Sequence, residues 1–175
     1  VIVVGYMGGA VRETFGDGKD FGVRISYIEN QHLDRGWAWS VVLAKPYLAS
    51  RHACIMLSDE FYLGSNLKDM ISSGYQDQLV NVAVKQESDP EIMQNDILGM
   101  ATFLVDPKVF ALLEQEYDKG RPSIDFVSFV DGLIRDGHDV AAFDLTGEYI
   151  NLNDVSSLEA ANDMAIRRRL TSGES

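Results

Sequence analysis

Short apolar runs rich in β-branched residues alternate along the chain with segments whose apolar residues recur at helical spacing. These runs predict strands at Val1 to Val4, Phe21 to Ile28, Ala53 to Leu57, Leu79 to Val84, Ile97 to Val105, Val140 to Phe143 and Tyr149 to Leu152. Strands that alternate with helices are typical of an α/β fold with a largely parallel sheet. Because Val1 to Val4 needs neighbouring strands and two covered faces, we expect this first strand to be buried.

Helices are predicted between these strands. The helical segments are Ala10 to Phe15, Trp37 to Leu48, Asn66 to Ile71, a segment that begins at Asp106-Pro107, Ser123 to Ile134, and a last helix from about Val155. Asp106 is a capping residue and Pro107 suits the first helical position. Pro46 is expected to disturb the end of the second segment. The segment Gln86 to Asp96 holds a proline and four acids, so we expect an exposed loop.

The composition excludes several classes of function. The 27 Asp and Glu residues against 15 Lys and Arg give a formal net charge of −12, which argues against binding to nucleic acid or to an anionic membrane surface. No apolar run approaches the roughly 18 residues that span a bilayer. The single cysteine, Cys54, cannot form an internal disulfide, so we expect a reducing, cytoplasmic location. One domain is expected, from residue 1 to 170, with a tail at 171–175.

Asp59 is the strongest candidate site residue on chemistry alone. It follows the apolar run Ala53 to Leu57, and ligands gather at the carboxyl ends of strands in open α/β sheets, so it is placed to hold a metal. A turn acid or a helix cap is the alternative. The glycine-rich turn Gly5 to Gly9 matches neither dinucleotide nor triphosphate loop patterns. The three histidines, His32, His52 and His138, lack metal-ligand spacing.

Several short motifs follow one another in order along nearly the whole chain. They are Ile2 to Tyr6, Phe15 to Gly18, Phe21 to Tyr27, Met56 to Asp59, Gly99 with Phe103, Pro107 with Phe110, Gly147 to Asn153, and Leu158 to Asn162. In this order the chain resembles the nucleotidyltransferases that make NDP-sugars and CDP-alcohols. In that family the corresponding motifs read VVGY, FGDG, FGV-x-I-x-Y, L-G/S-D, G-x-y-x-F-x-P-x-x-F and G-x-W-x-D-x-N-T-x-E-D-L-x-x-A. The order Asn30, Arg35-Gly36, Ser40 looks more like the branch that transfers CMP to phosphorylated alcohols.

The resemblance implies a fold and a reaction. The fold is a Rossmann-like three-layer α/β/α arrangement with a mixed, mostly parallel central sheet. The reaction joins a nucleoside triphosphate to a phosphorylated sugar or alcohol and releases pyrophosphate. Asp59 and Asn151 would hold Mg²⁺, with Asp59 and Lys85 as the catalytic residues, whereas Tyr6, Gly36 and Trp37 would bind the nucleotide. The nucleotide, the acceptor and any homo-oligomer are left open.

Three departures from the family pattern leave other functions open. The signature loop G-x-G-T/S-R-x-x-P would precede Val1, so we expect the chain to be an N-terminally incomplete remainder with little or no turnover. Asn151 stands where the family has a second metal-binding Asp. The stretch from Lys85 to Ile97 is short, and Lys85 is the only nearby candidate for the acceptor phosphate. A non-catalytic, ligand-sensing nucleotidyltransferase-like domain is therefore the alternative, followed by an unrelated Rossmann-type binding module.

Overall fold

The computed structural model describes residues 1–48, 50–73, 78–85 and 98–172. Within them are eight strands: β1 Ile2–Val4, β2 Tyr27–Glu29, β3 Ala53–Met56, β4 Glu60–Leu63, β5 Val80–Lys85, β6 Leu98–Val105, β7 Val140–Asp144 and β8 Glu148–Asn151. The α-helices there are α1 Gly8–Phe15, α2 Ala38–Leu48, α3 Leu67–Ser73, α4 Lys108–Asp118, α5 Phe126–Arg135 and α6 Val155–Ser172. None of these helices is both long and apolar enough to cross a membrane.

The strands form one four-stranded and two two-stranded sheets. β1 pairs in parallel with β2, and β4 pairs antiparallel with β8. The four-stranded sheet has the order β3-β6-β5-β7. The predicted α/β fold with mixed strand directions is confirmed.

Contacts within the chain divide it into two compact units. The first unit comprises Val1–Ala53 and Val105–Val140, and the second comprises Cys54–Leu104 and Ala141–Ser175. In the first unit, α2 packs on α4 and on β1. In the second unit, Met70, Ala83, Leu104 and Leu145 form a buried cluster, and α6 packs on β4 and β8.

The N-terminal strand is less buried than its composition predicts. Val4 is 5% exposed, but Val1 is 50% exposed, and Ile2 and Val3 are half-buried. The expectation of a strand covered on both faces is therefore wrong for most of β1 in the part of the chain that the structure describes. Because β1 pairs with β2 over only three residues, it gains less cover than a central strand.

Two other elements differ from the sequence prediction. The strand predicted over Phe21 to Ile28 is short, because the chain turns first. Lys19–Phe21 forms a 3₁₀ turn between Gly18 and Gly22, both of which have positive φ, and only Tyr27–Glu29 is a strand. Strand β4 has no counterpart among the predicted strands. The loop predicted over Gln86 to Asp96 lies outside the described residues.

The predicted helix-end signals are confirmed only in part. The Asp106 carboxylate accepts a hydrogen bond from the Lys108 backbone N–H at 2.8 Å, which satisfies a donor that the first turn of α4 leaves free. Pro107 lies just before the first helical residue, Lys108, rather than at the first helical position. The expected disturbance at Pro46 is not seen, because Pro46 lies inside α2 and the helix continues to Leu48.

Candidate metal and nucleotide site

The structure brings the two predicted metal ligands together in the second unit. Asp59 immediately precedes β4, and Asn151 is the last residue of β8. The pairing register sets Glu60 opposite Asn151, and the backbone N–H of Leu152 donates to the carbonyl oxygen of Asp59 at 2.6 Å. Two residues that are far apart in sequence are therefore neighbours at one end of a strand pair.

The carboxylate of Asp59 has an oxygen suited to a cation. Its Oδ1 is buried and has no hydrogen-bond partner within the described part of the chain. A buried carboxylate oxygen without a partner is costly, and a bound cation would remove that cost. Asp59 therefore fits the role of metal ligand.

The two candidate ligands would suit an ion that needs few protein ligands. No group of three or more His, Cys, Asp or Glu that could hold a metal occurs among the residues that the structure describes. Mg²⁺ is the ion that protein sites hold through one or two carboxylates, with water and substrate phosphates completing its shell. One carboxylate and one amide oxygen fit such an ion.

Glu60 lies next to Asp59 at the centre of a hydrogen-bond network. Its Oε1 accepts from the Ala101 backbone N–H at 2.6 Å and from the Tyr149 hydroxyl at 3.1 Å. Its Oε2 accepts from the Tyr62 hydroxyl at 2.6 Å and from the fully buried Thr102 hydroxyl at 3.0 Å. A carboxylate offers about four lone-pair positions, so both oxygens of Glu60 are fully engaged.

The two tyrosines of this network are held in the neutral form. The rings of Tyr62 and Tyr149 pack with centroids 5.3 Å apart. Burial, together with the Glu60 carboxylate, raises the pKa of both hydroxyls far above the ordinary value. The charge of Asp59 adds to the rise for Tyr149, and a hydrogen bond from the Asn151 side chain opposes it. Tyr149 therefore donates a hydrogen bond to Glu60, and the pKa of its hydroxyl is shifted by both candidate ligands.

Sequence reasoning missed Glu60, and it included Tyr149 in the motif Gly147 to Asn153 without giving it a role. Side chains two residues apart share a face of a strand, so Tyr149 lies on the same face of β8 as Asn151. The alternation of Glu60 with Tyr62 in β4 carries the same signal. What the sequence lacks is the register that joins these two strands.

Lys85 is the last residue of β5. In the four-stranded sheet, β6 lies between β5 and β3, and β3 is the strand that precedes Asp59 in the chain. The Lys85 side chain is half-buried. Its role toward an acceptor phosphate stays a prediction.

The predicted nucleotide-binding residues lie in the first unit. Tyr6 follows β1 and is 86% exposed, so its ring is available to a ligand. Gly36 has φ 78° and ψ 165°, and a Cβ built there would lie 2.5 Å from the carbonyl oxygen of Ile124. The need for glycine at position 36 is therefore explained by the close approach of the chain's own backbone.

Trp37 is tied to the start of α5. Its indole Nε1 donates to Oδ1 of Asp125 at 2.7 Å, and its ring packs on Phe126 with centroids 5.1 Å apart. Asp125 also accepts from the Ser128 N–H as the cap of α5. Burial raises the pKa of Asp125, but the hydrogen bonds from Ser128 and Trp37 outweigh burial and hold that pKa below its usual range.

Two of the residues that favour a CMP-transferring branch, Asn30 and Ser40, contact each other. Asn30 is 5% exposed, its Nδ2 donates to the Ser40 hydroxyl at 3.1 Å, and its Oδ1 accepts from the His32 N–H at 2.8 Å. Arg35 stacks on Trp39, with its guanidinium carbon 3.4 Å from the ring centroid. These contacts give the loop from residue 30 to 36 a defined conformation.

Comparison with solved structures identifies the fold. A Bacillus anthracis protein described as a glucose-1-phosphate thymidylyltransferase, solved with sucrose, has a TM-score of 0.80 and 19% identity over 94% of this chain and 74% of its own. The inositol-1-phosphate CTP transferase of T. maritima has a TM-score of 0.72 and 18% identity over 94% of this chain and 75% of its own.

HddC from Yersinia pseudotuberculosis has a TM-score of 0.67 and 13% identity over 93% of this chain and 76% of its own. No family model and no curated protein matches the chain by sequence. At these identities the likeness shows the fold, and the predicted nucleotide-sugar transferase fold class is confirmed.

Proposed function

We propose that this protein is a nucleotidyltransferase that transfers a nucleoside monophosphate to a sugar phosphate or alcohol phosphate and releases pyrophosphate. The observation that carries the proposal is that the chain brings Asp59 and Asn151 to the same end of the β4–β8 pair, with the unpartnered, buried Oδ1 of Asp59 among the described residues. The fold supports it, since two solved structures that share it are described as sugar-phosphate or alcohol-phosphate nucleotidyltransferases.

The reaction needs no protein nucleophile. An oxygen of the acceptor's own phosphate attacks the α-phosphorus of the triphosphate, and pyrophosphate leaves, so catalysis consists of positioning and neutralisation of charge. Mg²⁺ would supply charge neutralisation at the phosphates when it is bound. In a chain of net charge −12, such cations are needed because like charges repel by about 1 kcal/mol per close pair even in water.

Each predicted residue then has a part in binding. Asp59 and Asn151 hold the cation through carboxylate and amide oxygens. Lys85 neutralises the acceptor phosphate. Tyr6 and Trp37 bind the nucleotide through their rings. Trp37 uses its ring because its indole N–H is already donated to Asp125. Gly36 gives the loop before α2 the backbone conformation that binding requires.

We propose CTP as the donor and a phosphorylated alcohol as the acceptor. The support is the set Asn30, Arg35-Gly36 and Ser40, and the likeness to an inositol-1-phosphate CTP transferase. A panel of nucleoside triphosphates and acceptor phosphates, read out as pyrophosphate release, tests this choice. Release by this chain is expected to be low, but higher with CTP and an alcohol phosphate than with dTTP and a sugar-1-phosphate, and the reverse order would contradict this choice.

The metal site is tested separately from turnover. Mn²⁺, a spectroscopic substitute for Mg²⁺, is titrated into the chain and free Mn²⁺ is measured by electron paramagnetic resonance. Asp59→Ala is expected to weaken binding at least tenfold, because it removes the only charged ligand of the pair. Asn151→Asp is expected to tighten it several-fold, because a carboxylate binds a hard cation better than an amide does.

Asp139→Ala is the matched control, because Asp139 is an exposed aspartate and its loss changes the net charge by the same amount. Unchanged Mn²⁺ binding in Asp59→Ala, or an equal loss in Asp139→Ala, would remove the proposed site.

A second candidate function is a non-catalytic domain that binds a sugar nucleotide and senses it. The neutral Asn151 in place of a second carboxylate favours this candidate. It predicts nucleotide binding without pyrophosphate release in the wild type and also in Asn151→Asp. Release that appears or rises in Asn151→Asp would favour the enzyme.

A further inference from the structure

We propose that a cleft between α4 and α5 binds a small organic phosphate. The cleft has a volume of about 460 Å³, which lies within the range of pockets that hold small molecules. All of its lining residues belong to the first unit, whereas Asp59 and Asn151 belong to the second. The cleft therefore shares no residue with the proposed metal site, and this inference does not rest on the proposed function.

The walls of the cleft are partly apolar. Leu112 and Glu116 are four residues apart on α4, and Phe129 and Leu133 are four residues apart on α5, so each pair lies on one face of its helix. Phe129 and Leu133 are 6% and 5% exposed. Together with Leu112, they give the cleft an apolar surface that suits the carbon part of a ligand.

The charged groups of the cleft have an excess of cations in a strongly acidic chain. The cations are Lys119, Arg121 and Arg135, and the carboxylates are Glu116 and Asp136. With His138 neutral the cleft thus carries a charge of +1, whereas the whole chain carries −12. One oxygen of Glu116 lies 2.5 Å from Nζ of Lys119, and the other lies 3.2 Å from Nε of Arg121. The charge of Glu116 is therefore more than neutralised by its own neighbours.

Arg135 and His138 line the cleft without partners of their own. Within the described residues, neither side chain has a hydrogen bond or an ion pair, and the adjacent Asp136 pairs with neither of them. A guanidinium has five N–H donors, and an imidazole ring has at least one. Acceptor oxygens of a ligand in the cleft would engage these donors.

The end of α5 does not use these two side chains. The carbonyl oxygens of residues 132–134 accept hydrogen bonds from the backbone N–H groups of residues 136–138, each at 3.0 Å. The backbone itself therefore satisfies the carbonyl groups at this helix end. The donors of Arg135 and His138 remain for a ligand.

Gly132 keeps the α5 wall of the cleft open. It lies inside α5, where glycine is less favourable than alanine. A Cβ added there would meet only Nη2 of Arg135, at 3.9 Å, which is an ordinary van der Waals distance. Packing among the described residues therefore does not require glycine at position 132, whereas a ligand that lies against this wall would.

These features favour a ligand with a single phosphate group on a carbon-containing body. The guanidinium of Arg135 has the planar fork of donors that fits phosphate oxygens, and His138 can donate to the same group. An excess of one cation suits a single phosphate better than a triphosphate, which Asp136 would repel more strongly. The apolar walls would cover the carbon part of the ligand.

Isothermal titration calorimetry of the full 175-residue chain tests the site with phenyl phosphate as the probe. Inorganic phosphate lacks the ring that the apolar walls would bury, and phenol lacks the anion. Both are expected to bind at least about tenfold more weakly than phenyl phosphate. Equal binding of phenyl phosphate and inorganic phosphate, or no binding of phenyl phosphate, would refute the proposal.

Two variants test the role of the cleft residues. Arg135→Gln is expected to weaken binding of phenyl phosphate at least about fivefold, because it removes charge-assisted hydrogen bonds. Arg24→Gln is the matched control, because Arg24 is an exposed arginine of the same unit that does not line the cleft. Gly132→Leu fills the cleft and should abolish binding. Its melting temperature should equal or exceed that of the wild type, because leucine favours a helix more than glycine does.

The results of these variants decide the proposal. Equal effects of Arg135→Gln and Arg24→Gln would show that only the net charge matters and would refute the site. Binding of wild-type strength in Gly132→Leu would refute it as well. Loss of binding in Gly132→Leu at an unchanged or higher melting temperature would support it, because the loss then comes from the filled cleft and not from unfolding.

Lys85→Gln distinguishes this inference from the proposed function. Lys85 is the residue proposed for the acceptor phosphate and lies in the second unit, so its replacement should leave binding of phenyl phosphate unchanged. If Lys85→Gln loses binding and Arg135→Gln keeps it, phenyl phosphate occupies the proposed acceptor site. This inference would then fail, and the proposed function would gain support.

Discussion

Replacing Gly36 with alanine tests whether the chain's own backbone, rather than a ligand, requires glycine at this position. Gly36 has φ 78° and ψ 165°, a region that only glycine adopts readily. An added Cβ would lie 2.5 Å from the Ile124 carbonyl oxygen and 2.8 Å from the Ser123 hydroxyl. Both distances are too short for a carbon, so the backbone at residue 124 or at residue 36 would have to move.

Two costs add in Gly36→Ala. A non-glycine residue in this backbone region costs about 1–3 kcal/mol, and forcing an extra methyl into a filled space costs about 1–3 kcal/mol more. We therefore expect the free energy of unfolding to fall by about 2–6 kcal/mol. Gly120 is the control, because its φ is also positive, at 86°, and a Cβ there would meet nothing within 4 Å. Gly120→Ala should cost only about 1–2 kcal/mol.

Urea unfolding followed by tryptophan fluorescence measures the difference. The chain has two tryptophans, Trp37 and Trp39, which directly follow Gly36 in the first unit, so the signal reports on the affected region. With a slope of about 2 kcal/mol per molar urea, the midpoint should fall by about 1–3 M in Gly36→Ala and by less than about 1 M in Gly120→Ala. Coinciding midpoints would refute the backbone explanation and favour a ligand as the reason for Gly36.

Two further predictions concern ionisable groups. The depressed pKa of Asp125 gives stability that is present above the unfolded-state pKa of about 3.9 and is lost as the pH falls through the folded-state pKa. In urea unfolding, the difference in midpoint between wild type and Asp125→Asn should therefore be larger at pH 6 than at pH 3. A difference that does not change with pH would contradict this prediction. Burial raises the pKa of Cys54 to about 11, so only a small fraction of this thiol is ionised at pH 8. A disulfide reagent should therefore label Cys54 at least about tenfold more slowly in buffer than in concentrated urea. Equal rates would show that the thiol is accessible and ionised in the folded chain.

The elements that the sequence predicts correctly have strong local signals. Strands β3, β5 and β6 coincide with apolar runs to within two residues at either end, because a continuous apolar run is a stable strand only when both faces are covered. Strand β4 was missed because its first residue is an acid, and its strand character depends on pairing with β8. Pairing between distant segments leaves no local signal.

In the candidate site, too, residues with a local sequence signal are predicted and residues that depend on pairing between distant segments are not. Asp59 was found from its position after an apolar run, and Asn151 from a motif in the last part of the chain. The hydrogen-bonded carboxylate of Glu60 was not found, because an acid beside a turn ordinarily faces water. Only the fold supplies the two tyrosines and the buried threonine that donate hydrogen bonds to it.

The antiparallel pairing of β4 with β8 also bears on how the protein acquires its site. This pair joins residues 60–63 to residues 148–151, and closing so long a loop costs entropy that local contacts do not repay. The two candidate ligands can therefore become neighbours only when residues 148–151 have been synthesised and β8 has paired with β4. If they bind a cation as proposed, that affinity would be acquired late, and its appearance during refolding would report when β8 docks onto β4.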